Sequence, residues 1–292
     1  MIQIVLGVLV LFAVMHIFVL GRDLIKHKDN LGSGNWIVSI LIGFVTDFLD
    51  TLGIGSFAPT AMLLDTTKQL ETDRHLPGTL NVGHALSCLL EGLIFITVVD
   101  VAPLTLFSLI ASSIVGSWLG SKTVTKLPEK TVQFWMGWAL IVTALLMLAR
   151  LQGWIDILGA DNTATGLTGG LLIVGIIGNG IFGALMTIGV GLYAPCMAMV
   201  YLLGLSPLVA FPIMSGSCGA LMPVASLNFI KTGEYSRKVS LGIALGGIVG
   251  VIIAAKFVTN LDLTILTWII IGVVLYTGFT YIRKSRRPEV AQ

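Results

Sequence analysis

The chain has 292 residues, of which 55% are hydrophobic and 11% charged, and its net charge is +2. Soluble domains carry about 25% charged residues, so this charge content and a mean hydropathy of +0.97 exclude a water-soluble enzyme, and the small net charge gives no basis for a nucleic-acid partner. Cys88, Cys196 and Cys218 are an odd number in apolar text with no CxxC spacing; they offer no disulfide framework and read as buried free thiols.

Peptide groups in lipid must find partners within their own segment, so long apolar runs are helices. No short alternating strands suggest a barrel. The first run, 2–20, has no basic leader and no small-residue cleavage site, and Arg22, Lys26 and Lys28 follow it. It reads as a retained span with its N-terminus outside. The next segment, 36–64, is too long for one crossing. Segments 77–99, 103–121 and 131–149 have spanning length, 166–203 is again too long, and 207–230, 239–256 and 262–282 are ordinary. The chain is thus expected to be an all-α integral membrane protein with about seven transmembrane helices plus two broken or re-entrant helix pairs. Apart from Lys256, the last residue of 239–256, no lysine or arginine stands inside any of these segments.

Both over-long segments hold the same break. Thr51–Thr60 reads TLGIGSFAPT and Thr187–Cys196 reads TIGVGLYAPC, with Thr, two Gly, Ala and Pro matching at an offset of 136 residues. Gly53 and Gly55, and Gly189 and Gly191, permit an unwound turn. Pro59 and Pro195 fit the first turn of a new helix. Each new helix start offers unpaired N–H groups and the positive end of a dipole, which suits an anion. Thr51, Ser56, Thr60 and Thr187 add hydroxyls, and Asn81, Ser215 and Ser217 follow the two breaks at comparable distances. Small residues also serve close helix packing, but two copies of the break favour a site.

The positive-inside rule separates the topologies. Two full crossings put eleven basic residues inside and six outside, whereas two re-entrant hairpins put fifteen inside and two outside. The sharper partition favours hairpins entering from opposite sides. Residues 1–130 and 131–292 then form two inverted repeats, a recurring transporter construction. The C-terminal basic run Arg283–Arg287 is then a cytoplasmic flank in contact with membrane lipid.

Ionisable residues within the bilayer are functional candidates. Asp47 and Asp50 share one helix face just before the first break, and His84, Cys88 and Glu91 share another. Asp47, Asp50, His84 and Glu91 are therefore candidates for coupling protons to anion movement. The second half has Met186 where the first has Asp50. A His84–Cys88–Glu91 metal site lacks an evident fourth ligand, and no cofactor is expected.

The duplicated GxGxxxxP, with the stretch GNGIFGALMTIGVGLYAPCMAMVYLLGLSPLVAFPIMSGSCGA, resembles the TauE/SafE family of sulfite exporters and related permeases. The family usually carries a denser GxGGG run, whereas this chain continues as Gly55-Ser56 and Gly191-Leu192, and Ser215-Gly216-Ser217 stands where a Thr-Ser pair is common. The resemblance implies a secondary transporter of sulfite, sulfonates or other small sulfur anions, in the cell membrane of a bacterium. The residues alone leave two alternatives open. One is a cation channel or carrier using Asp47 and Asp50. The other is an intramembrane protease with Ser217 as nucleophile and His84 as base, which has no further signature here.

Overall fold

The protein is described here by a computed structural model covering residues 2–157, 162–257 and 264–286. Its helices in chain order are α1 (Ile2–Lys26), α2 (Trp36–Thr51), α3 (Phe57–Thr66), α4 (Leu76–Val98, entered through a 3-10 turn at Asp73–His75), α5 (Pro103–Val124), α6 (Glu129–Leu151), α7 (Trp154–Ile157), α8 (Gly169–Met186), α9 (Tyr193–Leu202), α10 (Pro207–Thr232), α11 (Arg237–Phe257) and α12 (Thr264–Ser285). Among the described residues, the one β feature is an isolated bridge between Ala164 and Leu205.

Among the described residues, seven helices, α1, α4 with its entry turn, α5, α6, α8, α10 and α11, are long and apolar enough to cross a membrane. Large apolar side chains such as Leu11, Phe18, Ile37, Val115, Trp138 and Phe279 are exposed on the outer faces. Only lipid solvates such a surface without penalty, and the chain is an integral membrane protein. This set differs from the expected seven at two places. α8, expected as part of a broken segment, alone reaches spanning length. The predicted span 262–282 corresponds to α12, whose upstream residues 262–263, like Arg287 of the basic run, lie outside the described residues.

Both over-long segments are helix, break, helix. α2 ends at Thr51 and α3 starts at Phe57, while α8 ends at Met186 and α9 starts at Tyr193. Asn35 caps α2 by accepting from the Ile37 and Val38 amides at 2.9 and 3.2 Å, as asparagine does at a helix N-terminus. Its own amide donates to Gln69 Oε1 at 2.7 Å, and the Ser33 amide donates to Glu71 Oε1 at 2.7 Å. The chain therefore leaves α3 beside the point where it entered α2. The second segment closes in the same manner: the Ser206 amide donates to Ala164 O at 2.8 Å and Asn162 Nδ2 donates to Tyr201 O at 2.7 Å.

The offset of 136 residues carries α2 onto α8, α3 onto α9, α4 onto α10, α5 onto α11 and α6 onto α12. Packing crosses between the two sets. α2 lies along α11, and a Cβ on Gly246 would lie 1.9 Å from Ile40 O. Its counterpart α8 lies along α5, where a Cβ on Gly116 would lie 1.9 Å from Gly180 O. In lipid there is no hydrophobic drive between helices, so close backbone approach through small residues supplies the dispersion contact.

One end of the molecule gathers its charges. Arg237 Nε donates to Asp23 Oδ2 at 2.7 Å, Arg74 Nη2 to Glu234 Oε1 at 2.7 Å, and Lys284 Nζ to Asp65 Oδ1 at 2.6 Å and Asp73 Oδ2 at 3.2 Å. The first hairpin opens at this end, beside Asp65 and Gln69. The second opens at the other, where the Ala102 amide at the start of α5 donates to Thr165 O at 2.9 Å.

Candidate functional site

The two breaks meet. A cavity is lined by Ile54, Gly55, Ser56, Phe57 and Ala58 of the first break and by Gly191, Leu192 and Tyr193 of the second. Asp50, Cys88, Thr143, Met147, Met186, Cys218 and Met222 complete the wall. Phe57 and Tyr193 occupy equivalent positions one residue into α3 and α9. Neither Ser56 nor Leu192, the N-cap residues, caps its helix through the side chain, so no cap side chain occupies the amides of either first turn.

The geometry of the breaks follows from their glycines. Gly53, Gly55 and Gly189 have φ of +85, +93 and +100°, a region that costs L side chains roughly 1–2 kcal/mol. Gly191 does not have positive φ, and a Cβ there would meet nothing within 4 Å. It keeps the cavity wall low rather than bending the chain.

Next to the cavity lies a buried polar network. His84 Nδ1 is 2.7 Å from Asp47 Oδ1 and its Nε2 is 3.0 Å from Thr60 Oγ1. Ser87 Oγ donates to Asp47 Oδ2 at 2.8 Å. Ser56 Oγ donates to Asp50 Oδ2 at 3.1 Å, with Cys88 Sγ 3.5 Å from the same oxygen. Thr51 Oγ1 donates to Glu91 Oε1 at 2.8 Å, and Tyr193 Oη donates to Glu91 Oε2 at 2.6 Å. Asp47, His84 and Glu91 are each 0% exposed and Asp50 3%, so these hydrogen bonds replace the water that charged or polar groups would otherwise need. α2 and α4 hold Asp47, Asp50, His84 and Glu91, and the Tyr193 hydroxyl ties this cluster to the second break. Gly247 on α11 makes room for it: a Cβ there would lie 1.8 Å from Asp47 Oδ2.

The other sequence candidates are distributed as follows. Gly55, Ser56 and Gly191 line the cavity. Thr51 lies behind the wall, bonded to Glu91, which the wall residue Tyr193 also bonds. Gly53 and Gly189 shape the two turns. Thr187 Oγ1 donates to Ala184 O at 2.7 Å and Ser215 Oγ to Phe211 O at 2.7 Å, each within its own helix. Asn81 Nδ2 donates to Pro77 O at 2.9 Å, leaving its buried Oδ1 without a partner. Ser217 Oγ accepts from Asn179 Nδ2 at 2.9 Å. It is thus engaged on α8, while His84 is bonded to Asp47 and Thr60. The His84–Cys88–Glu91 face divides: Cys88 and Glu91 group with Asp50, their ligand atoms within 4.8 Å of one another, and His84 turns to Asp47. The three cysteines are free and buried.

Two residues escaped the sequence reading. Tyr193 sits in the second break motif, where its ring reads as one more apolar residue. Arg150 stands one residue beyond the predicted segment 131–149, where it reads as a flanking charge. α6 runs on to Leu151, and Arg150 Nη1 donates to the carbonyl of Gly53.

No curated protein and no solved structure matches the chain. The family model of the sulfite exporter TauE/SafE matches residues 1–147 and again residues 105–281.

Proposed function

The chain belongs to the TauE/SafE sulfite exporter family, and from that premise we propose that it is a secondary transporter of a small sulfur-containing anion, sulfite or an organosulfonate, with its site in the cavity between the two breaks. The observation that carries this reading is that Gly55–Phe57 and Gly191–Tyr193, from hairpins that open at opposite ends of the molecule, line one cavity. Two uncapped helix starts facing one space suit an oxyanion. Ser56 and Tyr193 hydroxyls stand in the same wall.

In this reading both hairpins are re-entrant. The two halves, 1–130 and 131–292, act as inverted repeats, and one rocks against the other to open the cavity to either side. The charge-rich end is cytoplasmic, because its Lys and Arg follow the positive-inside rule. Protons are the coupling ion. Asp47, Asp50 and Glu91, with His84, form a buried cluster in which a change of proton occupancy changes the charge beside the anion.

The test is thermal stabilisation of the detergent-purified protein by sulfite, thiosulfate, sulfate, small sulfonates and carboxylates. A ligand of the native state raises the melting temperature by mass action. One sulfur anion is expected to shift it selectively, and Gly191→Leu, which fills the open space at that wall, to abolish the shift. A second reading, a cation carrier, draws on Asp50, Cys88 and Glu91 lying within 4.8 Å of one another. Stabilisation by a cation and by no anion would replace the first reading with it.

A further inference from the structure

Glu91 joins the two hairpins. Thr51, the last residue of α2, bonds its Oε1 at 2.8 Å, and Tyr193, the first residue of α9, donates to its Oε2 at 2.6 Å. Glu91 itself stands behind the cavity wall, but Tyr193 lines that wall. A change at this carboxyl therefore reaches the cavity through one hydroxyl.

The Thr51 hydroxyl has a choice of partner. Its Oγ1 is 2.8 Å from Glu91 Oε1 and 2.9 Å from Asp47 O, and it has one proton for the two. With Glu91 ionised, Thr51 donates to the carboxylate. With Glu91 protonated, the acid donates to Thr51, and Thr51 donates to the Asp47 carbonyl. Both protonation states are thus hydrogen-bonded with no side chain displaced, as a buried group requires. Asp47, Asp50 and His84 are held otherwise. Ser87 and Ser56 donate to the two aspartates at 2.8 and 3.1 Å, and Thr60 Oγ1 bonds His84 at 3.0 Å. Among the described residues none of these three hydroxyls has a second acceptor, so a proton added at those contacts would leave theirs unplaced. The titratable groups facing Glu91 are Asp47 and Asp50 from α2, Cys88 on its own helix, Tyr193 from α9 and Cys218 from α10. α11 presents Gly247 to the cluster, α3 has Asp65 at the charged end with Lys284, and His16 of α1 lies by Val82, more than two turns away along α4. Asp50 and Glu91 bring oxygens within 4.8 Å of each other, where two negative charges repel, so Asp50 acts on the same proton.

We propose that Glu91 is the proton carrier of this transporter, and that its proton moves with the anion in the same direction. As a carboxylate, Glu91 holds the Tyr193 hydroxyl through a charged acceptor, a bond roughly twice as strong as one to a neutral oxygen, and it repels an anion across the wall. As an acid, it lets that hydroxyl turn to the anion. Proton and anion therefore strengthen each other's binding, and linkage makes the effect reciprocal. The inference rests on the sulfur-anion reading above and adds to it the residue that carries the proton and the sign of the coupling.

The experiment is uptake of ethanesulfonate and sulfite by the full chain in proteoliposomes holding a trapped pH dye, at acidic and alkaline pH, for wild type, Glu91→Gln and Tyr193→Phe, with melting temperatures alongside. In wild type the dye is expected to report about one proton entering with each ethanesulfonate, and KM to rise about tenfold from the acidic to the alkaline condition, within the range that linked sites show. Glu91→Gln puts an amide where the acid was, donating to Thr51 and accepting from Tyr193. It should move the anion without the proton, at a KM that no longer changes with pH. Sulfite titrates by itself, so there the ratio of wild-type to Glu91→Gln KM gives the comparison. Tyr193→Phe cuts the link at the wall and should shrink the pH effect to about threefold or less. If Glu91 is only a structural tie, Glu91→Gln will lower the melting temperature and leave proton entry and pH profile as in wild type, and the proposal fails. If Glu91→Gln does not fold, Tyr193→Phe decides, because an undiminished pH effect there overturns the inference. Wild-type protein that moves neither anion overturns the transport reading and this inference with it. Wild-type transport with no proton entering, or with protons leaving, overturns this inference alone.

Discussion

The two hairpins share a backbone and differ in chemistry. The first carries Asp47 and Asp50 on α2, bonded to His84, Ser87 and Ser56, with Glu91 close by. The positions in α8 that match by the 136-residue offset are Gly183 and Met186. There the buried polar contact is Asn179 with Leu109 O at 2.8 Å and Ser217 Oγ at 2.9 Å. A duplicated break thus needs duplicated glycines, but ionisable groups need only one copy. On the proposed function, geometry is symmetric because two faces open in turn, and charge is asymmetric because one cluster carries the proton for a cavity shared by both hairpins.

Substitutions in the two hairpins can break or sharpen that comparison. The largest effect is expected at Asp47. Asp47→Ala leaves His84 and Ser87 buried with no partner on that side, at a cost of about 3–5 kcal/mol, read as a large fall in melting temperature. Asn179→Ala in the second hairpin removes neutral hydrogen bonds and should cost about 1–3 kcal/mol. Transport should keep its pH dependence in Asn179→Ala and lose it in Asp50→Asn. Equal pH profiles for these two variants would remove the assignment of proton coupling to the first hairpin.

Next come the glycines. Gly189→Ala meets both a positive φ and the Met136 sulfur at 2.2 Å, and should destabilise by roughly 2 kcal/mol or more, from the left-handed strain alone and then the clash. Gly191→Ala meets neither and should leave the melting temperature within about 0.5 kcal/mol of wild type. A transport defect in Gly191→Ala at unchanged stability would then report on the cavity wall itself. Tyr193→Phe removes the hydroxyl that joins the second break to Glu91 at 2.6 Å and is expected to cost about 1–2 kcal/mol. The smallest effect belongs to the charged end: Lys284→Met loses ion pairs with Asp65 and Asp73 that are partly open to solvent, worth about 0–1 kcal/mol.

How much of this was legible follows from what each residue shows in a sequence. The breaks were legible because positive φ at Gly53, Gly55 and Gly189 admits little besides glycine, and the proline after each break marks a helix start. The acid cluster was legible because a carboxylate in an apolar run is costly and rarely idle. Partners were not. The α11 contact with α2 is built on Gly242, Gly246 and Gly250, and the residues facing lipid, such as Leu245, Val249 and Ile252, are apolar too, so hydrophobicity alone does not separate inside from outside. Asn81, Ser215 and Thr187 look like ligands in the text, yet each bonds a carbonyl three or four residues back, a choice that short polar side chains make locally. Arg150 was hidden for the opposite reason: a basic residue at the end of a span is what topology alone would place there.

The pairing of α2 with α11 bears on how the chain is made. Gly250 packs against Phe44, so the polar hairpin meets its long partner only after 250 − 44 = 206 further residues have been synthesised. At about 5–20 residues per second that is a wait of roughly 10–40 s, during which Asp47 and Asp50 stand in a half-built bilayer assembly without the helix that encloses them. Biogenesis of this protein is therefore expected to be most vulnerable to the translocon and to membrane proteases in that interval. Truncations that end before α11 should be degraded rather than accumulate as a stable first half.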